Sequence, residues 1–447
     1  MSLNSFLSLS PRRSWRTVVA SSFVAATAVL SFAAAHAADA APRWTASWAV
    51  AARDYNEPSP VPGIATPPAL TLRDQTVRVR VDPVAGGTTV RVRFSNAFGT
   101  APLHIAAASV ARSTGGDALS PGSMRALHFN GRRDATIAPG DQVWSDAVRL
   151  TVTPRQPLAV SAYIDAATRA ATAYTGPAPQ SWLVSGDATG TAKLQGAVVS
   201  PWGHFVTGID VAREPAGASA SAAASASAPP VVVAFGDSIT YGVGAVSGTD
   251  GSYPTRLGQR LRAQPGNTIK TGATARTASV ASVINVGIGG NRLLTDGIGQ
   301  KALDRFDRDV LSQSGVTHTI ILIGTNDIGL SSLPGAAPMS VEQLTAGLQR
   351  LIDSARTQGV KVLLGTVTPF KGSGYWSDEN EAKRQALNRW IRGRQNIAGV
   401  VDFDVALRDR KDAVSLNPKY DSGDHLHPGD AGYAAMAEAV DVRELEP

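Results

Sequence analysis

The sequence predicts a chain folded in two parts, an N-terminal all-β region and a C-terminal α/β region built on a parallel sheet. Three observations carry this. Apolar and polar residues alternate with period two up to about residue 211, an Ala/Ser/Pro-rich stretch interrupts the chain at 214–230, and apolar strands then alternate with amphipathic helices to the end. Length agrees, because 447 residues exceed what one hydrophobic core usually organises. With 43% hydrophobic and 17% charged residues the chain can bury substantial cores, so disorder is not the expected state.

Residues 1–40 read as a signal peptide. Arg12, Arg13 and Arg16 precede an apolar stretch from Val18 to Ala35, and Ala35-His36-Ala37 and Ala38-Asp39-Ala40 offer small-residue cleavage sites. A retained anchor is the competing reading, but the stretch is rich in Ala, Ser and Thr and poor in Leu. Arg12-Arg13 is compatible with twin-arginine export without deciding the route. The expectation is a periplasmic or extracellular protein with no stable membrane insertion once the signal is removed. The chain has no cysteine, so it offers neither disulfides nor thiolate chemistry. Its formal charge is +6; three positive charges and the negative Asp39 fall in the signal segment, which leaves +4 on the remainder. That small excess, without a Lys/Arg run or interleaved aromatics, gives no reason to expect a nucleic-acid partner.

Residues 41–213 are expected to form a sandwich-like β domain. Thr76 to Val81 and Thr89 to Phe94 alternate strictly, as half-buried strands do. Pro83 to Gly87 and Asn96 to Thr100 supply turn residues after them, and Ala147 to Val152, Leu158 to Ile164 and His204 to Val211 continue the pattern. No helix of any length is expected there. Residues 214–230 are almost wholly Ala, Ser, Gly and Pro and read as a linker, because such side chains cannot offset the entropy of ordering; an alanine-rich helix is the alternative.

In residues 231–447 the strand candidates are Val231 to Phe235, Ser282 to Val286, Thr319 to Ile323, Lys361 to Thr366 and Val400 to Phe403. Helices are expected over Tyr253 to Ala263, Ala302 to Leu311, Val341 to Gln358, Glu379 to Arg394 and Ala431 to Ala439. Continuous apolar strands alternating with helices imply a parallel sheet covered on both faces, and ligands bind such sheets beyond the carboxyl ends of the strands.

Four motifs fall at those ends. Gly236-Asp237-Ser238-Ile239-Thr240-Tyr241-Gly242 follows the first strand and presents a serine on a tight turn. Gly287-Ile288-Gly289-Gly290-Asn291-Arg292 follows the second and offers unobstructed N–H donors. Gly324-Thr325-Asn326-Asp327 follows the third with an amide side chain, and Asp424-His425-Leu426-His427-Pro428 lies beyond the last strand. Taken alone, a serine in a glycine-rich turn is more often a loop hydroxyl than a nucleophile.

Together, in this order and each after its strand, the motifs resemble the GDSL or SGNH hydrolase superfamily over Val231 to about Ala439. The resemblance implies a flavodoxin-like three-layer α/β/α domain. It makes Ser238 the nucleophile, Asp424 and His427 the other members of a catalytic triad, and Ser238 N–H, Gly290 and Asn326 the oxyanion donors. Ile239 stands where the family usually has leucine, an apolar exchange without catalytic consequence. The β domain before the hydrolase is similar to that of two-domain secreted bacterial acylhydrolases and arylesterases.

The chemistry of the residue types agrees with these roles. A serine hydroxyl needs an adjacent base, and an imidazole can take its proton and return it to the leaving alcohol. Asp424 would orient that ring. His425, beside Asp424, is the rival base, and family spacing chooses His427. Asp237 is expected to hydrogen-bond local backbone N–H groups. Metal ligation competes for Asp424, His425 and His427, yet no HExxH helix or further ligand cluster completes a set, and the glycine loop lacks a phosphate-binding ending. Neither a metal nor a cofactor is expected. Tyr375 and Trp376, in a polar loop after a strand, could stack on a sugar or aryl group or pack beneath the loop.

The expected function is hydrolysis of carboxylic esters with short acyl groups, such as acetyl-polysaccharide or aryl esters, through an acyl-enzyme. The partner is then an ester substrate, an acylated carbohydrate among the candidates. A lipase or phospholipase-like acylhydrolase for long chains is the alternative enzyme, and a non-catalytic carbohydrate-binding surface protein the alternative outside catalysis.

Overall fold

In the computed structural model, the described residues are 43–58, 67–175, 181–212, 229–246, 251–263, 268–271, 274–277, 281–332 and 336–446. The expected signal segment lies outside them, as does all of the expected linker except Pro229 and Pro230.

From residue 43 to 212 every regular element among the described residues is a strand. β1 (Thr45–Ala49), β2 (Gln75–Val81), β3 (Gly87–Ser95), β4 (Ala107–Gly115), β5 (Leu158–Ile164), β6 (Ser181–Ser185) and β7 (Val206–Ala212) are the main ones. β1, β7 and β3 form one antiparallel sheet, joined by Gln142–Trp144 and Val148–Val152 on β3. β6, β2, β5 and β4 form the centre of a second. Val77, Val79 and Val81 of β2 and Val160 of β5 share one core with Val90 and Val92 of β3 and Ile209 and Val211 of β7. Two antiparallel sheets face each other across that core, which is the sandwich that the alternation predicts. A small third sheet joins Arg53–Asp54, Thr172–Thr175 and Trp202–His204.

The second half is a five-stranded parallel sheet of β8 (Val231–Gly236), β9 (Ser282–Asn285), β10 (Val316–Leu322), β11 (Lys361–Gly365) and β12 (Gly399–Val401). Its spatial order is β9-β8-β10-β11-β12. The order reverses at β8, so the loops after β8, β9 and β10 open together at the carboxyl edge. Strand periodicity builds two cores from one sheet. Val231, Val233, Phe235, Ile321, Val362 and Leu364 point to one face, while Val232, Ala234, Ile320, Leu322 and Leu363 point to the other.

Helices cover both faces: α1 (Ser238–Tyr241), α2 (Tyr253–Ala263), α3 (Ala302–Phe306), α4 (Thr325–Leu330), α5 (Val341–Thr357), α6 (Asp378–Arg392), α7 (Phe403–Leu407) and α8 (Asp430–Ala439). α5 shows why such segments are helical. Ser340 and Gln343 form a capping box, and Leu344, Leu348, Leu351, Ile352 and Ala355 recur on one buried face.

The expected helix at 302–311 differs in its second half, where Asp307–Leu311 is a π turn. The wider turn brings Asp309 and Val310 inward together, and Asp309 there pairs with buried Arg305 at 3.1 Å. Residues 42–447 form one compact unit, and Ala46, Ala49 and Ala51 of the β region share the core of Val231 and Val233. No helix among the described residues is long and apolar enough to cross a membrane.

Candidate active site

Ser238 follows β8 as the first residue of α1, so the expected strand-to-loop turn is a single helical turn. Asp237 caps it, its Oδ1 accepting from Ile239 N–H at 3.0 Å, which is the local role expected for it. Gly242 closes the turn in the left-handed region, its N–H donating to Ser238 O at 2.9 Å.

His427 Nε2 lies 2.8 Å from Ser238 Oγ, and His427 Nδ1 lies 2.6 Å from Asp424 Oδ2. Burial pushes the Asp424 carboxyl up, but His427 N–H, the His427 ring and Leu426 N–H all donate to it and hold it down at about 2. A carboxylate only accepts, so Nδ1 carries the ring proton and Nε2 is free to accept from the Ser238 hydroxyl. His425 turns away. Its Nδ1 meets Asp421 Oδ2 at 2.6 Å, and its ring lies over Gly372.

The loop after β9 brings Gly290 to the same edge. Gly289 flanks Ser238, since a Cβ on it would lie 4.0 Å from Ser238 Cβ. Gly290 has φ +76°, and a Cβ there would come within 2.5 Å of Ile298 Cδ1, so no other residue fits without displacement. Asn326, the second residue of α4, is buried and donates from Nδ2 to Asn291 O at 3.1 Å, which ties it to the glycine loop. The neighbouring Asp327 accepts from Leu293 and Leu294 N–H at 2.7 and 3.1 Å and clamps the far end of that loop. Burial raises the Asp327 carboxyl to about 6 despite those two bonds.

The sequence gives no role to Arg305, which the structure places at the base of the site. Arg305, fully buried, donates to Gly236 O at 2.8 Å, Val286 O at 2.9 Å and Asn291 Oδ1 at 2.9 Å. It therefore holds the ends of β8 and β9, from which Ser238 and Gly290 project. A charge pair on the apolar face of an expected helix, Arg305 with Asp309 among Ala302, Phe306 and Val310, was the available signal. Asp237 is also fully buried with Oδ2 lacking a partner among the described residues, and burial raises its carboxyl to about 7. Tyr375 and Trp376 both pack. The Tyr375 hydroxyl donates to Asn326 Oδ1 at 2.9 Å, and Trp376 packs edge-on against Phe370.

The β region reaches this edge as well. Glu57 accepts from Gly299 N–H at 3.0 Å, in the loop that carries Ile298, and the Tyr241 hydroxyl lies 3.4 Å from Thr175 Oγ1. Arg53 stacks on Trp202, with 4.8 Å between the guanidinium carbon and the ring centroid. A carboxylate–imidazole–hydroxyl chain at the carboxyl edge of the parallel sheet, with the Gly289-Gly290 loop and Asn326 at the same edge, has the form of a serine hydrolase centre.

Residues 234–435 match the GDSL-like Lipase/Acylhydrolase family, which places a domain of that family in the C-terminal half. Similar solved structures include a GDSL-like lipase from Bacteroides thetaiotaomicron, 21% identical, covering 51% of this chain and 95% of that one with a TM-score of 0.35. An acetylxylan esterase from Geobacillus stearothermophilus is also 21% identical, covering 49% of this chain and 95% of that one with a TM-score of 0.37. No curated protein matches the chain.

Proposed function

We propose that the protein is an exported serine esterase that cleaves short-acyl carboxylic esters by a two-step acyl-enzyme route. The observation that carries the reading is the 2.8 Å contact between His427 Nε2 and Ser238 Oγ, with Asp424 on the opposite ring nitrogen. Ser238 Oγ attacks the acyl carbonyl carbon while its proton passes to His427 Nε2. The carbonyl oxygen becomes an oxyanion, which accepts from Ser238 N–H, Gly290 N–H and the second N–H of Asn326 Nδ2. The imidazolium, stabilised by Asp424, then returns the proton to the leaving alkoxide. Water then attacks the acyl carbon as its proton passes to His427, and the acyl–Oγ bond breaks while the imidazolium returns that proton to Ser238 Oγ, releasing the acid.

Arg53, Glu57 and Thr175, contributed beside the site by the β region, supply polar groups suited to the alcohol part of an acylated carbohydrate. Export is supported by the basic, apolar and small-residue order of residues 1–40.

The test compares hydrolysis of p-nitrophenyl acetate, butyrate and palmitate, and deacetylation of acetylated xylo-oligosaccharides, by the mature protein and its Ser238→Ala variant. Expected are turnover falling with chain length and a loss of more than about 10³-fold on substitution at matched folding. Activity retained by Ser238→Ala overturns the nucleophile, and palmitate preferred at an emulsion interface overturns the short-acyl assignment.

A further inference from the structure

We propose that Tyr375 is a positioning residue that holds the Asn326 side-chain amide with its nitrogen presented to the oxyanion. The proposal rests on the serine-esterase reading and deepens it.

An asparagine amide is nearly symmetric in shape but opposite in chemistry at its two ends, so half a turn exchanges a donor for an acceptor. At Asn326 that exchange would aim oxygen lone pairs at the developing negative charge. Two contacts oppose it. Asn291 O can only accept, so the atom 3.1 Å from it is Nδ2, and a turned amide would set two oxygens against each other. On the other side, Oδ1 accepts from the Tyr375 hydroxyl at 2.9 Å. Of the two N–H groups on Nδ2, one is committed to Asn291 O and one remains for the substrate oxygen.

The placement of Tyr375 is built for this contact. Gly329 lies on α4 one turn beyond Asn326, and a Cβ there would fall 2.1 Å from Tyr375 Cδ2, so the missing side chain makes room for the ring. The backbone of Tyr375 is held at both ends: its N–H donates to Ser373 Oγ at 3.2 Å, and its carbonyl accepts from buried Asn380 Nδ2 at 2.8 Å. Burial, aided by the Asp237 carboxyl, raises the phenol to about 12, so it stays a donor throughout the range in which an esterase is assayed. Asn326 is itself almost wholly buried, and with Tyr375 Oη gone its Oδ1 would keep no donor among the described residues.

An oxyanion forms only after attack, so an amide that is misaligned costs turnover and leaves ground-state binding alone. The experiment measures kcat and KM on p-nitrophenyl acetate for the wild type, Tyr375→Phe, Asn326→Ala and the double variant, with melting temperatures for each. Tyr375→Phe keeps the ring against Gly329. It is expected to lower kcat about ten-fold, less than the about 10²–10³-fold for losing an oxyanion donor outright, and to hold KM within about two-fold. In the Asn326→Ala background the same change is expected to do almost nothing further, because there is no amide left to hold. Gly329→Ala, which keeps the hydroxyl but displaces the ring, is expected to repeat the kcat-only loss.

An undiminished kcat in Tyr375→Phe overturns the proposal. So does a raised KM with kcat kept, which would make Tyr375 a substrate contact, or an equal kcat loss with and without Asn326. These failures are separate from that of the esterase reading: active Ser238→Ala removes the reading itself, whereas inactive Ser238→Ala beside an unimpaired Tyr375→Phe removes only the positioning role.

Discussion

Arg305 is the residue whose loss should damage both fold and chemistry. Its guanidinium is fully buried, meets the Phe235 ring face at 4.1 Å and is shared among Gly236 O, Val286 O, Asn291 Oδ1 and Asp309 Oδ2. Burial pushes the group down to about 10, so it remains charged at neutral pH and depends on these partners. Arg305→Met keeps an unbranched apolar stem and removes every donor. Breaking a buried pair costs about 3–5 kcal/mol, and each neutral acceptor left dry adds about 1 kcal/mol or more. Arg308 still donates to both oxygens of Asp309, at 2.8 and 3.2 Å, and offsets part of this. The expected destabilisation is therefore about 3–5 kcal/mol, read from urea denaturation midpoints at pH 7. Arg305→Lys, which keeps the charge but not the fork of donors, should lie between the two and stay folded for kinetics. Its kcat should fall about ten-fold or more, because the ends of β8 and β9 carry Ser238 and Gly290. A loss below about 1 kcal/mol in Arg305→Met, with unchanged turnover in Arg305→Lys, would refute the reasoning.

Two further predictions concern groups beside Ser238. His427→Ala should abolish ester turnover while His425→Ala retains most of it, since His425 is paired with Asp421 outside the chain that reaches Ser238; steady-state kinetics with the larger loss in His425→Ala would reverse the assignment. Asp237 has a folded-state value of about 7 against an ordinary 3.8, so the native state holds more protons than the unfolded chain between those pH values and stability falls as pH rises through that window. Asp237→Asn should remove up to about 4 kcal/mol of that decline, measured by denaturation at pH 4, 5.5 and 7, and identical slopes in both proteins would contradict it.

Periodicity made the scaffold legible. Val231 to Phe235 read as a strand because all its side chains are apolar, and it is buried on both faces. Tyr253 to Ala263 has the same bounds in sequence and structure, with Leu257 and Leu261 one turn apart on its inner face. Ser238, Gly290, Asn326, Asp424 and His427 stand out in the sequence because each follows a strand or closes the last loop, where polar residues contrast with apolar neighbours; the structure joins Ser238, His427 and Asp424 in one hydrogen-bonded chain. What periodicity cannot carry is a choice between local conformations of similar energy. The helical turn at Ser238 depends on the Asp237 cap, and the π turn after Phe306 brings Asp309 to Arg305. Tyr375 was undecidable from sequence, because the partner that orients it lies 49 positions away and the space it fills is a missing side chain on another helix.

The same limit hid how the β region joins the α/β region. β1 pairs with β7 of the sandwich, yet Ala46 N–H donates to Ser314 O at 2.9 Å and Ala46 O accepts from Ser282 Oγ at 2.6 Å. Ala46, Ala49 and Ala51 are small enough for the strand to lie directly against β9 and the core of Val231. Beside it, Arg91 lies between Trp44 and Trp144, at 4.5 and 4.3 Å from the ring centroids, and donates to Asp210 Oδ2 and to Ser314 Oγ; Ser314 donates in turn to the buried Asp210. Burial raises the Asp210 carboxyl, so it relies on the hydroxyl that Ser314 brings from the other region. A cut in the chain after residue 212 would remove Ser282 and Ser314 and leave Asp210 short of one donor. The proposal that the β region contacts an acylated carbohydrate is therefore tested in the intact chain with Ser238→Ala, where the seam stays closed, the rim keeps Glu57 against Gly299, and bound ester is not consumed. Binding of acetylated xylo-oligosaccharide that is lost in a Trp202→Ala background is the expected result; no binding, or equal binding in both, would contradict a sugar contact at this rim.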